Sequence, residues 1–191
     1  MSRKARVACG AVAITAALAT SSVLVLQASN AAFSATTKNP NNTWTTGAAP
    51  VLTDDDNTDT AMFTANGLTP GDTGVKCIVV TATPATASAD LRFYSVRADA
   101  STLASQLNMT VERGSGGSFN SCTGFVPSAT LVNNAPLSAL PGDYGTASST
   151  SVPISTGTTA TVYRITYSLP ANMSSTYASM STKTQFTWEI R

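Results

Sequence analysis

Alternation of apolar and polar side chains with a period of two is the feature that most restricts the fold of this chain. In Leu107-Asn108-Met109-Thr110-Val111-Glu112 the apolar residues fall on every second position, as they do in a strand that buries one face and wets the other. Tyr163, Ile165, Tyr167 and Leu169 repeat the pattern against Arg164, Thr166 and Ser168, and Phe186, Trp188 and Ile190 repeat it against Gln185, Thr187 and Glu189. In Val75 to Thr83 both alternating sets are apolar, which predicts a central strand covered on both faces. Ala61 to Leu68 and Ala89 to Arg97 bring the expected strands to six, with further candidates at Ala129 to Val132 and Val152 to Ile154.

Turn chemistry separates these stretches. Pro70-Gly71-Asp72, Gly114-Ser115-Gly116-Gly117 and Pro141-Gly142-Asp143 supply preset or positive φ. Ser101 to Gln106 reads as a short helical crossover. Seven or eight short strands without an internal repeat predict an all-β fold, a two-sheet antiparallel β-sandwich of jelly-roll type. At 191 residues there is room for one such domain, over 51–191.

The N-terminal end has a different character. Ser2 to Arg6 is basic, and Val7 to Leu26 carries no charge and is rich in Ala, Val and Leu, the pattern of an export signal forming a hydrophobic helix. Ser29-Asn30-Ala31 offers small residues where signal peptidase reads, so residues 1–31 are expected to be removed between Ala31 and Ala32. An uncleaved anchor is the competing reading, since about 20 apolar residues also span a bilayer. Residues 32–50, with Pro40 and Pro50, lack an apolar period and read as an extended arm.

Charged residues make up only 11% of the chain, against about 25% in ordinary soluble domains, so few charges oppose contact between copies. Without Arg3, Lys4 and Arg6, eight basic residues face ten acidic ones with no basic cluster, and nucleic acid is not an expected partner. The chain contains no histidine. Ser-His-Asp and Cys-His catalysis and His-ligated zinc are thereby excluded, and no enzymatic activity is expected. Ser118, Ser121 and Thr123 have no base to activate them.

Two cysteines remain once Cys9 departs with the leader. In an oxidising compartment Cys77 and Cys122 are expected to form a disulfide; the alternative is two buried thiols. Asp54, Asp55, Asp56 and Asp59 form the one carboxylate cluster. It reads either as a solvated acidic loop or as a shallow Ca²⁺ site without the full EF-hand spacing; no other cofactor is expected. Trp44, Trp188, Tyr94, Tyr144 and Tyr177 admit a sugar-binding platform, although the strand phase of Trp188 points to core packing.

Several segments taken in order carry a family resemblance. Ala32-Phe33-Ser34-Ala35-Thr36 after the leader, Leu68-Thr69-Pro70-Gly71-Asp72, Cys77-Ile78-Val79-Val80, Arg92-Phe93-Tyr94, Thr110-Val111-Glu112-Arg113-Gly114, Phe119-Asn120-Ser121-Cys122 and Phe186-Thr187-Trp188-Glu189 resemble the TasA/camelysin family of exported proteins with SipW-type signal peptides. That resemblance implies a jelly-roll sandwich secreted to the cell surface, where copies, or related matrix subunits, assemble into biofilm fibres by donor-strand exchange. It places the donor in the segment containing Ala32, Phe33, Ser34, Ala35, Thr36 and Trp44, the competing reading being that this arm completes its own subunit's sheet, and it supports the Cys77–Cys122 bridge. The metallopeptidase activity ascribed to camelysin-like members does not carry over, because no His-Glu-x-x-His helix is present. A monomeric surface module that binds glycans or matrix polymers is the alternative function.

Overall fold

The computed structural model describes residues 49–56, 60–84, 88–155 and 157–191. The leader, its cleavage point at Ala31 and Ala32, Phe33, Trp44, the rest of the arm up to residue 48, and Asp59 lie outside the described residues.

Eight strands build two antiparallel sheets: β1 (Val51–Asp54), β2 (Thr73–Thr83), β3 (Ser88–Arg97), β4 (Asn108–Ser115), β5 (Val126–Pro136), β6 (Val152–Ser155), β7 (Thr159–Ser168) and β8 (Thr184–Ile190). One sheet has five strands in the order β1-β2-β7-β4-β5, and the other has three in the order β6-β3-β8. The alternating stretches of the sequence become β4, β7 and β8, and their apolar sets face inward. Met109 and Val111 of β4 and Tyr163 and Ile165 of β7 join Ile78, Val80 and Ala82 of β2 in the core, opposite Leu91 and Phe93 of β3 and Ile190 of β8. Rings tie the two layers together. Trp188 lies 5.3 Å from Phe93 and 5.4 Å from Tyr163, centroid to centroid, within the range where offset or edge-on aromatic pairs attract.

The expected strand over Ala61 to Leu68 does not form. That segment is irregular and finds no ladder partner among the described residues, and Gly67 takes a φ of +66° that breaks an extended run. Single side chains are anchored instead: Met62 and Phe63 pack on the core, and the Phe63 ring meets Tyr167 edge-on at 5.3 Å and Phe186 at 6.4 Å. The coverage expected on both faces of β2 is partial. Ile78 and Val80 are buried and Cys77 is sealed by the 116–122 loop, but Val75 is 49% exposed. Ser101 to Gln106 forms a 3-10 turn over Thr102–Ser105, whose preceding Ser101 hydroxyl accepts from Leu103 N–H. Gly114 is required by packing, because a Cβ there would strike the Val126 carbonyl across the β4–β5 ladder.

β6 stops at the level of Leu91, so from there β3 runs on without a strand on its β6 side. Its backbone is satisfied there by side chain and loop: the buried Thr150 hydroxyl donates to Phe93 O at 2.6 Å and accepts from Phe93 N–H at 3.2 Å, and Ser95 N–H donates to Pro141 O at 2.9 Å. Thr150→Val leaves both Phe93 groups without a partner, at a cost of about 1–3 kcal/mol, measurable as a lowered urea midpoint with an unchanged m-value. The Tyr163 hydroxyl has no hydrogen-bond partner, and burial holds its pKa far above that of a free phenol. Tyr163→Phe removes that unsatisfied group, so its urea midpoint should match or exceed that of the parent.

Candidate functional site

Asp55, one of the three described members of the acidic cluster, works as a clasp. Its N–H donates to Val79 O at 3.1 Å, while its carboxylate accepts from Val79 N–H at 2.8 Å and from Phe119 N–H at 2.6 Å. Both carboxylate oxygens are therefore engaged by backbone amides. Asp54 ends β1, and its Oδ1 accepts from Asp56 N–H at 2.9 Å. Among the described residues no three carboxylates, cysteines or histidines gather as a metal would need.

The same clasp holds the loop after β4. Cys77 and Cys122 are disulfide-bonded, with Cα atoms 5.2 Å apart, and Asn120 N–H donates to Cys77 O at 2.9 Å. Ser118, Ser121 and Thr123 all lie in this loop, where Ser121 Oγ donates to Thr123 Oγ1 at 3.3 Å. Double replacement of Cys77 and Cys122 by Ser removes a closed loop that stabilises by about 4 kcal/mol in the chain-entropy model. The expected result is a large drop in urea midpoint that reducing agent reproduces in the parent and leaves unchanged in the variant.

Among the described residues the aromatic candidates do not assemble a platform, and Trp44 lies outside them. Trp188 is in the core, and Tyr177 lies in a 3-10 turn, Ser175–Tyr177. The Tyr144 ring is already engaged by two guanidinium groups, Arg92 at 4.3 Å and Arg191 at 4.5 Å, and its O–H donates to Asp90 O at 3.2 Å. Tyr94 O–H donates to Glu189 Oε2 at 2.8 Å.

What the structure brings together instead is a set of strand edges, each treated differently. Beyond β1, the edge of β2 is closed at Val79 by Asp55 and at Cys77 by Asn120. Beyond β6, the edge of β3 is closed by Thr150 and Pro141. β5 forms a long outer edge, but its ladder with β4 is interrupted by three register shifts, and Pro127 and Pro136 lack N–H groups, features that blunt an edge. β1 and β6 have four residues each, and β6 contains Pro153.

β8 has none of these devices. Its register with β3 is continuous from Thr184 to Ile190. Asp90 and Arg191 exchange both of their backbone hydrogen bonds, and Ala98 N–H donates to Lys183 O. Odd-numbered residues therefore face β3, and Thr184, Phe186, Trp188 and Ile190 turn their N–H and C=O groups to the other side, where no backbone partner is found among the described residues. Trp188 Nε1 is likewise buried without an acceptor. Near the Phe186 end lies a cavity of about 410 Å³, lined among others by Met62, Phe63, Gly74, Lys76, Asn120 and Tyr167.

Asp99, just past β3, holds the segment that leads into β8. Its carboxylate accepts from Lys183 N–H at 2.6 Å, Thr182 Oγ1 at 3.0 Å and Ser101 N–H at 3.2 Å. Desolvation acts to raise its pKa, but the Ser101 and Lys183 amides and the Thr182 hydroxyl hold it below the usual value. Glu189 is also held low, by the Tyr94 hydroxyl and then by Arg191. Both carboxylates thus contribute stability that is complete above the ordinary carboxylate range and lost as pH falls through their lowered values. Asp99→Asn should lower the urea midpoint at neutral pH, and the difference from the parent should shrink as the pH is brought below 4 in the same assay.

Sequence patterns identify β8 but not its open edge, because one strand's period reveals its buried face and not its neighbours. No protein-family model matches the chain, and no curated protein matches it.

Proposed function

We propose that this protein is a secreted structural subunit of the cell surface that assembles by strand addition, as the resemblance to TasA-type biofilm-matrix proteins implies, and that it is not an enzyme. The observation that carries this reading is the mismatch between the two layers: a five-stranded sheet is stacked on a three-stranded one. A narrower sheet with an unprotected side strand is a receptor for an extended segment, which gains main-chain hydrogen bonds and buries alternate side chains. Residues 32–45 are the donor. Lys38 is their only charge, and cleavage after Ala31 would free them.

The jelly-roll reading belongs to the same proposal. β7 lies between β2 and β4, and the chain passes repeatedly from one sheet to the other, an order that long return connections of the Greek-key kind produce. A donor on one copy and a receptor on the next form a head-to-tail contact, which propagates as a filament unless its rotation closes. The Tyr144 ring is occupied by Arg92 and Arg191, which argues against the glycan-binding alternative.

Electron microscopy of the exported protein tests this reading. Filaments are expected from the chain beginning at Ala32, and none from a chain shortened to begin at Thr46. Filaments from both, or from neither, would overturn the proposal.

A further inference from the structure

We infer that Asn66 is a site of spontaneous covalent modification: the backbone nitrogen of Gly67 attacks its side-chain amide, and the chain acquires a carboxylate where the sequence encodes an asparagine. This chemistry goes beyond strand addition and does not depend on it. A bond forms between Gly67 N and Asn66 Cγ, closing a cyclic succinimide, while the side-chain nitrogen leaves as ammonia with the proton of the Gly67 N–H. Water then opens the ring at either carbonyl, giving aspartate or isoaspartate, so neither an oxidant nor a cofactor takes part.

Asn66-Gly67 is the only Asn-Gly pair in the sequence. The attacking nitrogen must come within bonding distance of Cγ, and a residue without a Cβ leaves that approach unhindered. Nucleophile and electrophile also sit in adjacent residues, so the step is intramolecular and gains from proximity. The other described asparagines lack that neighbour. Asn108, Asn133 and Asn134 lie within β4 and β5, Asn120 precedes Ser121 and its N–H is held by Cys77 O, and the exposed Asn172 precedes Met173.

The fold leaves the pair accessible. Asn66 and Gly67 are both exposed, in the irregular segment between the Phe63 anchor and the turn at Thr69 to Asp72. Asp72 closes that turn: its N–H donates to Thr69 O at 3.0 Å, and its carboxylate accepts from Thr69 N–H at 2.7 Å. Between these two fixed points no backbone hydrogen bond ties residues 64–68 to other described residues, and a Cβ added at Gly67 would meet nothing within 4 Å. Ring closure requires the Asn66 backbone to rotate, and a segment without a ladder resists that rotation least.

The product carries charge into a region that has little. Ala61 to Ala65 line the cavity of about 410 Å³ together with Lys76 and Tyr167, and Asn66 is the next residue of the chain. Lys76 is the only charged side chain in that lining among the described residues. Modification therefore places an acid one residue beyond the wall of a cavity whose single charge is a cation.

Peptide mapping by mass spectrometry, on the purified full-length chain held at mildly alkaline pH, tests the assignment. The peptide containing Asn66 should gain the mass difference between an amide and an acid and should split into aspartate and isoaspartate forms, at least about tenfold faster than the peptide containing Asn172. Gly67→Asn adds a Cβ while keeping a residue that tolerates positive φ. It should slow conversion of Asn66 about tenfold and leave the urea midpoint close to that of the parent. Conversion of Asn66 no faster than that of Asn172 overturns the proposal. A rate that Gly67→Asn leaves unchanged overturns it too, because the nitrogen of residue 67 is then not the nucleophile. Aspartate without isoaspartate identifies direct hydrolysis and has the same consequence. None of these readouts depends on whether filaments form.

Discussion

The stacking of two unequal sheets through a seam of aromatic rings is the contact on which the rest of this structure depends. Phe93 and Trp188 from the smaller sheet meet Tyr163 from the larger, and Phe63 links Tyr167 to Phe186. Phe93 and Tyr163 are fully buried, the other rings pack partly buried against the same core, and a fully buried side chain of this size is worth about 1.5–3 kcal/mol in transfer terms. Because the rings sit on alternate positions of regular strands, the seam also sets register: a slip of one residue would turn Phe186 and Trp188 to solvent and bring Gln185, Thr187 and Glu189 inward.

Stacking settles the faces of the sheets and leaves their edges open, and a buried or half-buried backbone group must be paired by something. The molecule answers mostly with short side chains and loop carbonyls. Thr150 serves both groups of Phe93, and Asp55 serves Val79 on one side and Phe119 on the other. In this light the acidic cluster has at least one member whose carboxylate replaces a missing strand, and the disulfide between Cys77 and Cys122 fastens the loop that this carboxylate holds.

Much of the fold was legible because alternation is imposed by burial of one face. β4, β7 and β8 follow directly from their apolar periods, and β3 and most of β2 follow from β-branched and aromatic content. β1 was not, since four residues running into an acidic cluster carry too little pattern. Ala61 to Leu68 misled because its apolar residues Met62 and Phe63 anchor an irregular segment on the core without a ladder. The capping duties of Asp55, Asp99 and Thr150 were illegible, because each depends on residues 24 to 84 positions away. No local signal marks a threonine that completes a strand. The disulfide, by contrast, was readable from the parity of the two cysteines outside the N-terminal apolar run.

The contrast among edges bears on function more directly than any single residue does. A protein that only had to remain monomeric would gain from closing every edge, and this one closes or blunts its others with a carboxylate, a hydroxyl, prolines or bulges. Leaving β8 straight, with aromatic side chains short of full burial and an indole donor without an acceptor, runs against that tendency. An unmet backbone edge is unfavourable for an isolated copy and favourable for a pair, since the same groups that lack partners in one chain gain them from the next. Local features that oppose the stability of the single molecule are where function is to be sought, and among the described residues the outer side of β8 is one such feature.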